Sequence, residues 1–161
     1  MIQPLNNKDI EVATQIRSVF QASYTIEAKL LNATNFPPLK RSLENFMTCN
    51  NLFYGYAKGD DLAGVIEIDH SSTVTNINSL VVDPRFFRQG IAGKLIAFVF
   101  DTFESPLFVV ETGVDNKPAT DLYRKYGFRE VKQWDTIYGI RKVRFERIKE
   151  DCNKTGQYLK L

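Results

Sequence analysis

The chain of 161 residues is 43% hydrophobic and 25% charged, which is typical of one globular domain with a single core. Its 21 basic and 19 acidic residues leave a net charge of +2, so we expect no nucleic-acid partner, because such partners need a concentrated basic surface. The longest apolar run, Leu95 to Phe100, is too short to cross a bilayer, so we expect no membrane association and a cytoplasmic protein. Cys49 and Cys152 lie outside any metal-binding spacing, and we predict no metal site.

The amino-terminal third carries helical patterns after a short opening strand. Apolar residues recur at helical spacing through Ile10, Ile16 and Phe20, and this pattern predicts a first helix over residues 7–20. A weaker pattern predicts a second helix over 23–33. The two prolines at 37 and 38 end it, and a third helix is predicted over 39–49.

From residue 52 onward the pattern predicts alternating strands and helices. A turn at 58–61 joins two strands, and a proline or glycine marks most of the later boundaries. We predict strands over 53–57, 62–69, 73–82, 107–111, 128–134 and 137–148, and helices over 89–103 and 116–126. Residues 1–150 would form the domain, and 151–161 a frayed tail.

The segment from Leu80 to Lys94, LVVDPRFFRQGIAGK, places an apolar strand before a glycine-containing loop that opens a helix. This order directs unpaired backbone N–H groups and the positive end of the helix dipole at one point, which suits a phosphate group. Small residues in the loop leave the approach to these N–H groups unobstructed. Arg85, Arg88 and Lys94 add positive charge around the loop. The alternative is that the small residues only let the helix pack closely on the sheet.

A second motif lies in the segment from Asn116 to Phe128, NKPATDLYRKYGF. Asn116, Ala119 and Tyr123 fall on one helical face, so an amide, a small residue and a phenol point the same way. The alternative is that Tyr123 only covers the core, with its hydroxyl group in water.

Together the two motifs resemble the GCN5-related N-acetyltransferase (GNAT) family, and the match covers the carboxy-terminal two thirds of the chain. The resemblance implies one α/β (α+β) domain with a mixed, mostly antiparallel sheet of about seven strands and about four helices. The sheet would be splayed between the strand that ends near Val82 and the strand that ends near Glu111.

The resemblance also implies a binding site for acetyl-CoA as cosubstrate. Backbone groups of Leu80, Val81 and Val82 would pair with the pantetheine arm. Asn116 would contact this arm from the same helical face as Ala119, and Tyr123 would face the sulfur. Backbone amides would bind the pyrophosphate along the whole loop, from Arg88 and Gln89 through Gly90, Ile91, Ala92 and Gly93 to Lys94. One departure is Phe87, which stands where the family usually has Gln or Arg.

A second departure concerns the general base. Many relatives carry Glu at the position of Asn76, and Asn cannot accept a proton. Glu67 is the best replacement, because a charged residue within an apolar strand is unusual unless it has a function. The alternative is a solvated strand face, because Asp69, two residues further on, would point to the same side. Glu111 is a weaker candidate.

The resemblance implies transfer of an acetyl group to a primary amine by direct attack, with no covalent enzyme intermediate. An N–H near Val81 would bind the oxyanion, a water held by Glu67 or Asn78 would take the amine proton, and Tyr123 would protonate the sulfur. The acceptor could be a small molecule or a protein amino terminus, in a pocket walled by Tyr24, Glu27 and the turn at 36–39. A non-catalytic acyl-CoA-binding module is the alternative, and a homodimer stays open.

Overall fold

A computed structural model describes residues 1–149 and the backbone of residues 151–152 and 158–159. Apart from these four residues, the predicted tail over 151–161 lies outside the described residues. The helices are α1 (Ile10–Leu30), α2 (Leu43–Thr48), α3 (Ile91–Thr102) and α4 (Lys117–Lys125). The strands are β1 (Ile2–Leu5), β2 (Leu52–Lys58), β3 (Asp61–His70), β4 (Thr75–Val82), β5 (Leu107–Gly113), β6 (Arg129–Asp135), β7 (Arg141–Ile148), β8 (Asp151–Cys152) and β9 (Tyr158–Leu159).

Seven strands form one sheet in the order β1-β2-β3-β4-β5-β7-β6. Only the β4–β5 pair is parallel, and the other neighbours are antiparallel. One apolar cluster lies between the sheet and helices α3 and α4, and a second cluster lies between the sheet and helices α1 and α2. The predicted fold class, with its mostly antiparallel mixed sheet, is confirmed. None of the described helices is long and apolar enough to span a membrane.

The sheet opens between β4 and β5, as predicted. These strands pair only from Thr75 with Phe108 to Ile77 with Val110. A β-bulge follows at once, because Ile77 pairs with Ile68 while Ser79 pairs with Glu67, which leaves the intervening residue of β4 without a partner on β3. A bulge bends its strand and increases the local twist. Beyond it, the edge of β4 that faces β5 is free to bind something other than a strand.

Helix α1 corrects the prediction of two helices at 7–20 and 23–33. It is a single helix of 21 residues that begins after Asp9, whose carboxylate accepts hydrogen bonds from two backbone N–H groups of the first turn. No proline or glycine interrupts it. The apolar pattern weakens after Phe20 because Ser23, Tyr24 and Glu27 line cavities there instead of the core.

The predicted helix over 39–49 and the predicted strand over 137–148 are both too long. The first is divided into a 3₁₀ turn, Pro37–Lys40, and helix α2, which Ser42 caps by accepting a hydrogen bond from the N–H of Asn45 at 3.1 Å. The second begins only at Arg141. Residues 136–140 form the β6–β7 turn, in which Gly139 has a φ of 73° that other residues rarely adopt.

Candidate functional site

Two cavities meet where β4 and β5 separate. The first, of about 520 Å³, lies on the α1 and α2 side of the opening and is called the acceptor cavity below. The second, of about 560 Å³, runs between the start of α3, helix α4 and the second half of α1 and is called the coenzyme groove. Five residues line both cavities and define their junction: Glu27, Leu80, Asn116, Ala119 and Tyr123.

The loop before α3 is built to present backbone donors to the coenzyme groove. Gly90 is the N-cap of α3 with a φ of 75°, and Arg88 also has a left-handed φ, of 61°. The first helical hydrogen bond runs from the N–H of Lys94 to the carbonyl of Gly90 at 3.1 Å, so the preceding amides have no acceptor within the helix. Turns of this kind concentrate N–H groups into an anion-binding concavity.

The side chains of the loop divide between the groove and the surrounding structure. Arg88 lines the groove, whereas Gln89 accepts a hydrogen bond from Lys58 and lies outside it. The Lys94 ammonium lies 3.4 Å from the Tyr56 hydroxyl on β2, and Arg85 is paired with Asp83 at 3.0 Å. Of the three basic side chains expected to surround the loop, only that of Arg88 therefore reaches the groove.

The glycines of the loop serve different purposes. A Cβ atom added to Gly90 would contact nothing within 4 Å, so its left-handed φ is what requires glycine. A Cβ on Gly93 would lie 2.3 Å from the Tyr126 hydroxyl, because the end of α4 packs directly on α3. The alternative that small residues serve close packing is thus correct for Gly93, although the packing partner is a helix and not the sheet.

The residues of β4 alternate across the sheet. Leu80 and Val82 line the groove, whereas the Val81 side chain is 1% exposed and packs in the cluster under α1. Only the backbone of Val81 is therefore available to a ligand. The neighbouring Phe87, which departs from the family pattern, is 42% exposed at the mouth of the groove.

The predicted face of α4 lies at the junction. Asn116 is the N-cap, and its Oδ1 accepts from the N–H of Ala119 at 3.3 Å, while its Nδ2 donates to the Thr112 hydroxyl at 3.3 Å. Tyr123 is 5% exposed, and burial raises the pKa of its phenol above the ordinary value. Its hydroxyl group therefore stays protonated at neutral pH.

Glu67 lies inside the molecule, and the alternative of a solvated face is wrong. Glu67 is 2% exposed, and five hydrogen-bond donors surround its carboxylate. The donors are Arg41 Nη1 at 2.8 Å, Arg41 Nη2 at 3.0 Å, Ser79 Oγ at 2.9 Å, Asn51 Nδ2 at 3.0 Å and, at the longer distance of 3.6 Å, Cys49 Sγ. Burial alone would raise the pKa of Glu67, but the hydrogen bonds and the charge of Arg41 outweigh it and lower the pKa below its ordinary value. The catalytic role of Glu67 stays a prediction, and these contacts make it a weak base.

Arg41 explains why this carboxylate is buried. Its guanidinium carbon lies 4.1 Å from the centroid of the Phe46 ring, and its Nε donates to Asn45 at 2.7 Å. The extended backbone of Arg41, between the 3₁₀ turn and α2, directs the side chain toward β3. The Arg41–Glu67 pair thus joins the segment between the 3₁₀ turn and α2, which forms a wall of the acceptor cavity, to strand β3.

Glu27 is the site carboxylate that was expected only to wall the acceptor pocket. It lines both cavities, and its Oε1 accepts a hydrogen bond from Thr112 Oγ1 at 3.3 Å. Burial raises the pKa of Glu27, against the hydrogen bonds of Asn116 and Thr112 and the charge of Lys142. A polar residue on the inward face of an uninterrupted helix was the signal that could have found it.

The remaining walls of the acceptor cavity come from two distant segments. Phe36, Pro37 and Pro38 lie on one side, and the β6–β7 turn with Tyr138 and Ile140 lies on the other. The two sides meet, since Phe36 and Ile140 share one apolar cluster with α1. Among the described residues, no three His, Cys, Asp or Glu side chains are grouped so that they could hold a metal ion.

Solved structures of acetyltransferases share this fold. The ribosomal-protein-S18-alanine N-acetyltransferase of Escherichia coli superposes with a TM-score of 0.72 at 18% identity over 92% of both chains. The PaiA N-acetyltransferase of Thermoplasma acidophilum, solved in complex with coenzyme A, gives 0.72 at 16% identity over 92% of this chain and 99% of that one. A GNAT acetyltransferase of Elizabethkingia anophelis with acetyl-CoA bound gives 0.58 at 19% identity over 74% of this chain and 87% of that one.

The sequence itself matches the model of the Acetyltransferase (GNAT) family over residues 14–128. The chain therefore belongs to the GNAT family of acetyltransferases. It is also 30% identical to the UPF0157 protein YqkA of Bacillus subtilis over 141 residues, 87% of this chain and 41% of the relative. A Mycobacterium leprae protein, ML0378, is 22% identical over 78% of this chain and 36% of its own length. The chain thus spans about two fifths of the curated relatives that it matches.

The Arg41–Glu67 pair yields a stability prediction. Glu67→Gln should lower the free energy of unfolding by about 3 kcal/mol at neutral pH, because it leaves a largely buried guanidinium without its counter-charge. Since its partners lower the pKa of Glu67, the loss should shrink as the pH falls through the folded-state pKa. Urea unfolding at several pH values measures both effects.

The exposed Lys117–Asp121 pair, at 3.5 Å, supplies the control. Asp121→Asn should change stability little at any pH, because exposed pairs contribute little. Equal stabilities of Glu67→Gln and the wild type would show that the buried pair does not stabilise the fold.

Proposed function

We propose that the protein transfers the acetyl group of acetyl-CoA to a primary amine, by direct attack while both substrates are bound. The observation that carries the proposal is the junction at the β4–β5 opening, where a groove suited to a phosphate-bearing thioester meets a polar and aromatic cavity. A cavity of about 520 Å³ fits a compact amine, either a small molecule or the first residues of a protein amino terminus.

The groove would hold acetyl-CoA by backbone contacts. The N–H groups at the start of α3 would bind the pyrophosphate. Arg88 would add positive charge, because the neighbouring Phe87 stands where the family usually has Gln or Arg. The free edge of β4 at Leu80 and Val82 would pair with the pantetheine arm, which leaves the thioester at the junction. A backbone N–H near Val81 would stabilise the oxyanion of the tetrahedral intermediate.

Tyr123 would protonate the leaving sulfur. The amine nitrogen attacks the thioester carbon, the C–N bond forms, and the C–S bond breaks as the phenol gives its proton to the thiolate. The proton lost from the new amide nitrogen returns to the phenolate. Because burial raises the pKa of Tyr123, its hydroxyl group carries a proton throughout the usual assay range.

A non-catalytic acyl-CoA-binding module is the second candidate, and Asn76 in place of the family's Glu favours it. A mass-spectrometric screen of acetyl transfer to small amines and to amino-terminal peptides separates the two. Transfer to any acceptor above the uncatalysed rate supports the enzyme. Binding of acetyl-CoA without transfer to any acceptor and without hydrolysis supports the module.

Gly90 provides a test of coenzyme binding. Acetyl-CoA at a hundredfold excess over its dissociation constant should stabilise the wild type by about 2.7 kcal/mol, whereas acetate should not. Gly90→Val should abolish this thermal shift, because the valine side chain then blocks the approach of the phosphate. A β-branched residue is also strained at this left-handed φ. Gly139→Val is the control, since Gly139 has nearly the same φ, 73°, but lies in the β6–β7 turn. Loss of the shift in both variants, or in neither, contradicts the assignment.

Tyr123 provides a test of the chemistry. Tyr123→Phe keeps the ring and removes the donor, so coenzyme affinity should persist while kcat falls by about a hundredfold. Tyr126→Phe is the control on the same helix, because the Tyr126 ring lies against Gly93 and lines neither cavity. A fall in kcat for Tyr126→Phe alone would mean that the acid is not Tyr123.

A further inference from the structure

Three carboxylates surround the opening, and their surroundings differ. Glu67 is saturated by five donors and does not line the acceptor cavity. Glu111 lines the cavity but lies between Lys142 at 4.0 Å and Arg144 at 3.9 Å, and it is separated from the coenzyme groove. Glu27 lines both cavities and lies on the same junction as Tyr123.

The contacts of Glu27 leave room for a further hydrogen bond. Its donors are uncharged: the Thr112 hydroxyl at 3.3 Å and the Asn116 amide, which also donates to Thr112 at 3.3 Å. A carboxylate has about four acceptor positions, so a substrate ammonium can bind alongside. The Thr112 contact fixes the carboxylate from the β5 side, and helix α1 supplies a rigid support.

We propose that Glu27 is the catalytic base that takes the proton from the acceptor ammonium at the junction. This assignment rests on the proposed acetyl transfer. The ammonium gives one proton to Glu27, and the neutral amine attacks the thioester. After the attack the nitrogen loses a second proton, which returns to Tyr123 and replaces the proton that Tyr123 gave to the sulfur. The net products are the amide, the thiol and one proton, which Glu27 releases to solvent.

The electrostatic surroundings suit this role. The titratable groups that face Glu27 are Tyr24 on its own helix, Tyr123 on α4 and Lys142 on β7. Both phenols are neutral at neutral pH, because burial raises their pKa values, whereas the charge of Lys142 lowers the pKa of Glu27. Because burial raises the pKa of Glu27, its carboxylate is a better proton acceptor than a fully solvated one.

The raised pKa also gives a readout that is independent of activity. A carboxyl group whose folded pKa exceeds its unfolded pKa favours folding when protonated, and that contribution is lost as the pH rises through the folded pKa. Ionisation of Glu27 therefore opposes folding. Glu27→Gln should unfold at an equal or higher urea concentration than the wild type at pH 7, whereas Glu67→Gln should unfold at a lower one.

The kinetic test compares Glu27→Gln, Glu67→Gln and Glu111→Gln, with Glu11→Gln near the exposed start of the same helix as control. On an amine found by the acceptor screen, Glu27→Gln should lower kcat/KM by about a hundredfold near neutral pH. Its rate should then rise about tenfold per pH unit up to the amine's own pKa, because only amine that is already neutral can react. Glu11→Gln should retain the wild-type profile.

The outcomes separate this assignment from the proposed function. A wild type that acetylates no amine contradicts the function itself. A wild type that does so while Glu27→Gln keeps its rate and pH profile overturns only the role of Glu27, and a loss confined to Glu111→Gln or Glu67→Gln assigns the proton elsewhere. A Glu27→Gln protein that is less stable than the wild type at pH 7 also overturns the assignment.

Discussion

The separation of β4 from β5 is the constraint on which the site depends. Three residue pairs join the strands, and the bulge opposite Glu67 then turns β4 away. Because buried backbone groups need partners, the free edge of β4 is stable only if a ligand or water can reach it. The same opening lets the acceptor cavity communicate with the coenzyme groove. A regularly paired sheet would keep the two apart.

Local spacing allowed the arrangement of the coenzyme groove to be predicted, because its parts follow one another along the chain. The loop before α3 and the face of α4 are both contiguous motifs, and the structure brings Asn116, Ala119 and Tyr123 together as their helical spacing required. The orientation of side chains on the loop was not predictable. Gln89 and Lys94 turn toward β2 through contacts with residues more than 30 positions away.

The acceptor side was predicted only in outline, since long-range pairing determines it. Arg41 and Glu67 are separated by 26 positions, and no local pattern indicates that they meet. Tyr24 and Glu27 interrupted the apolar pattern of α1 and led to the prediction of two helices. The error and the site have the same cause, because polar residues on a buried helix face mark a cavity and not the end of a helix.

The two sides of the opening also differ in how they can diverge in evolution. The coenzyme contacts that we propose come mainly from backbone groups, which persist through most substitutions. The acceptor cavity is instead lined by side chains from α1, from Phe36 to Pro38 and from the β6–β7 turn, three segments that are far apart in the chain. Under the proposed function, substitutions there can accumulate independently and change the amine that fits, while the site for the acyl donor is preserved.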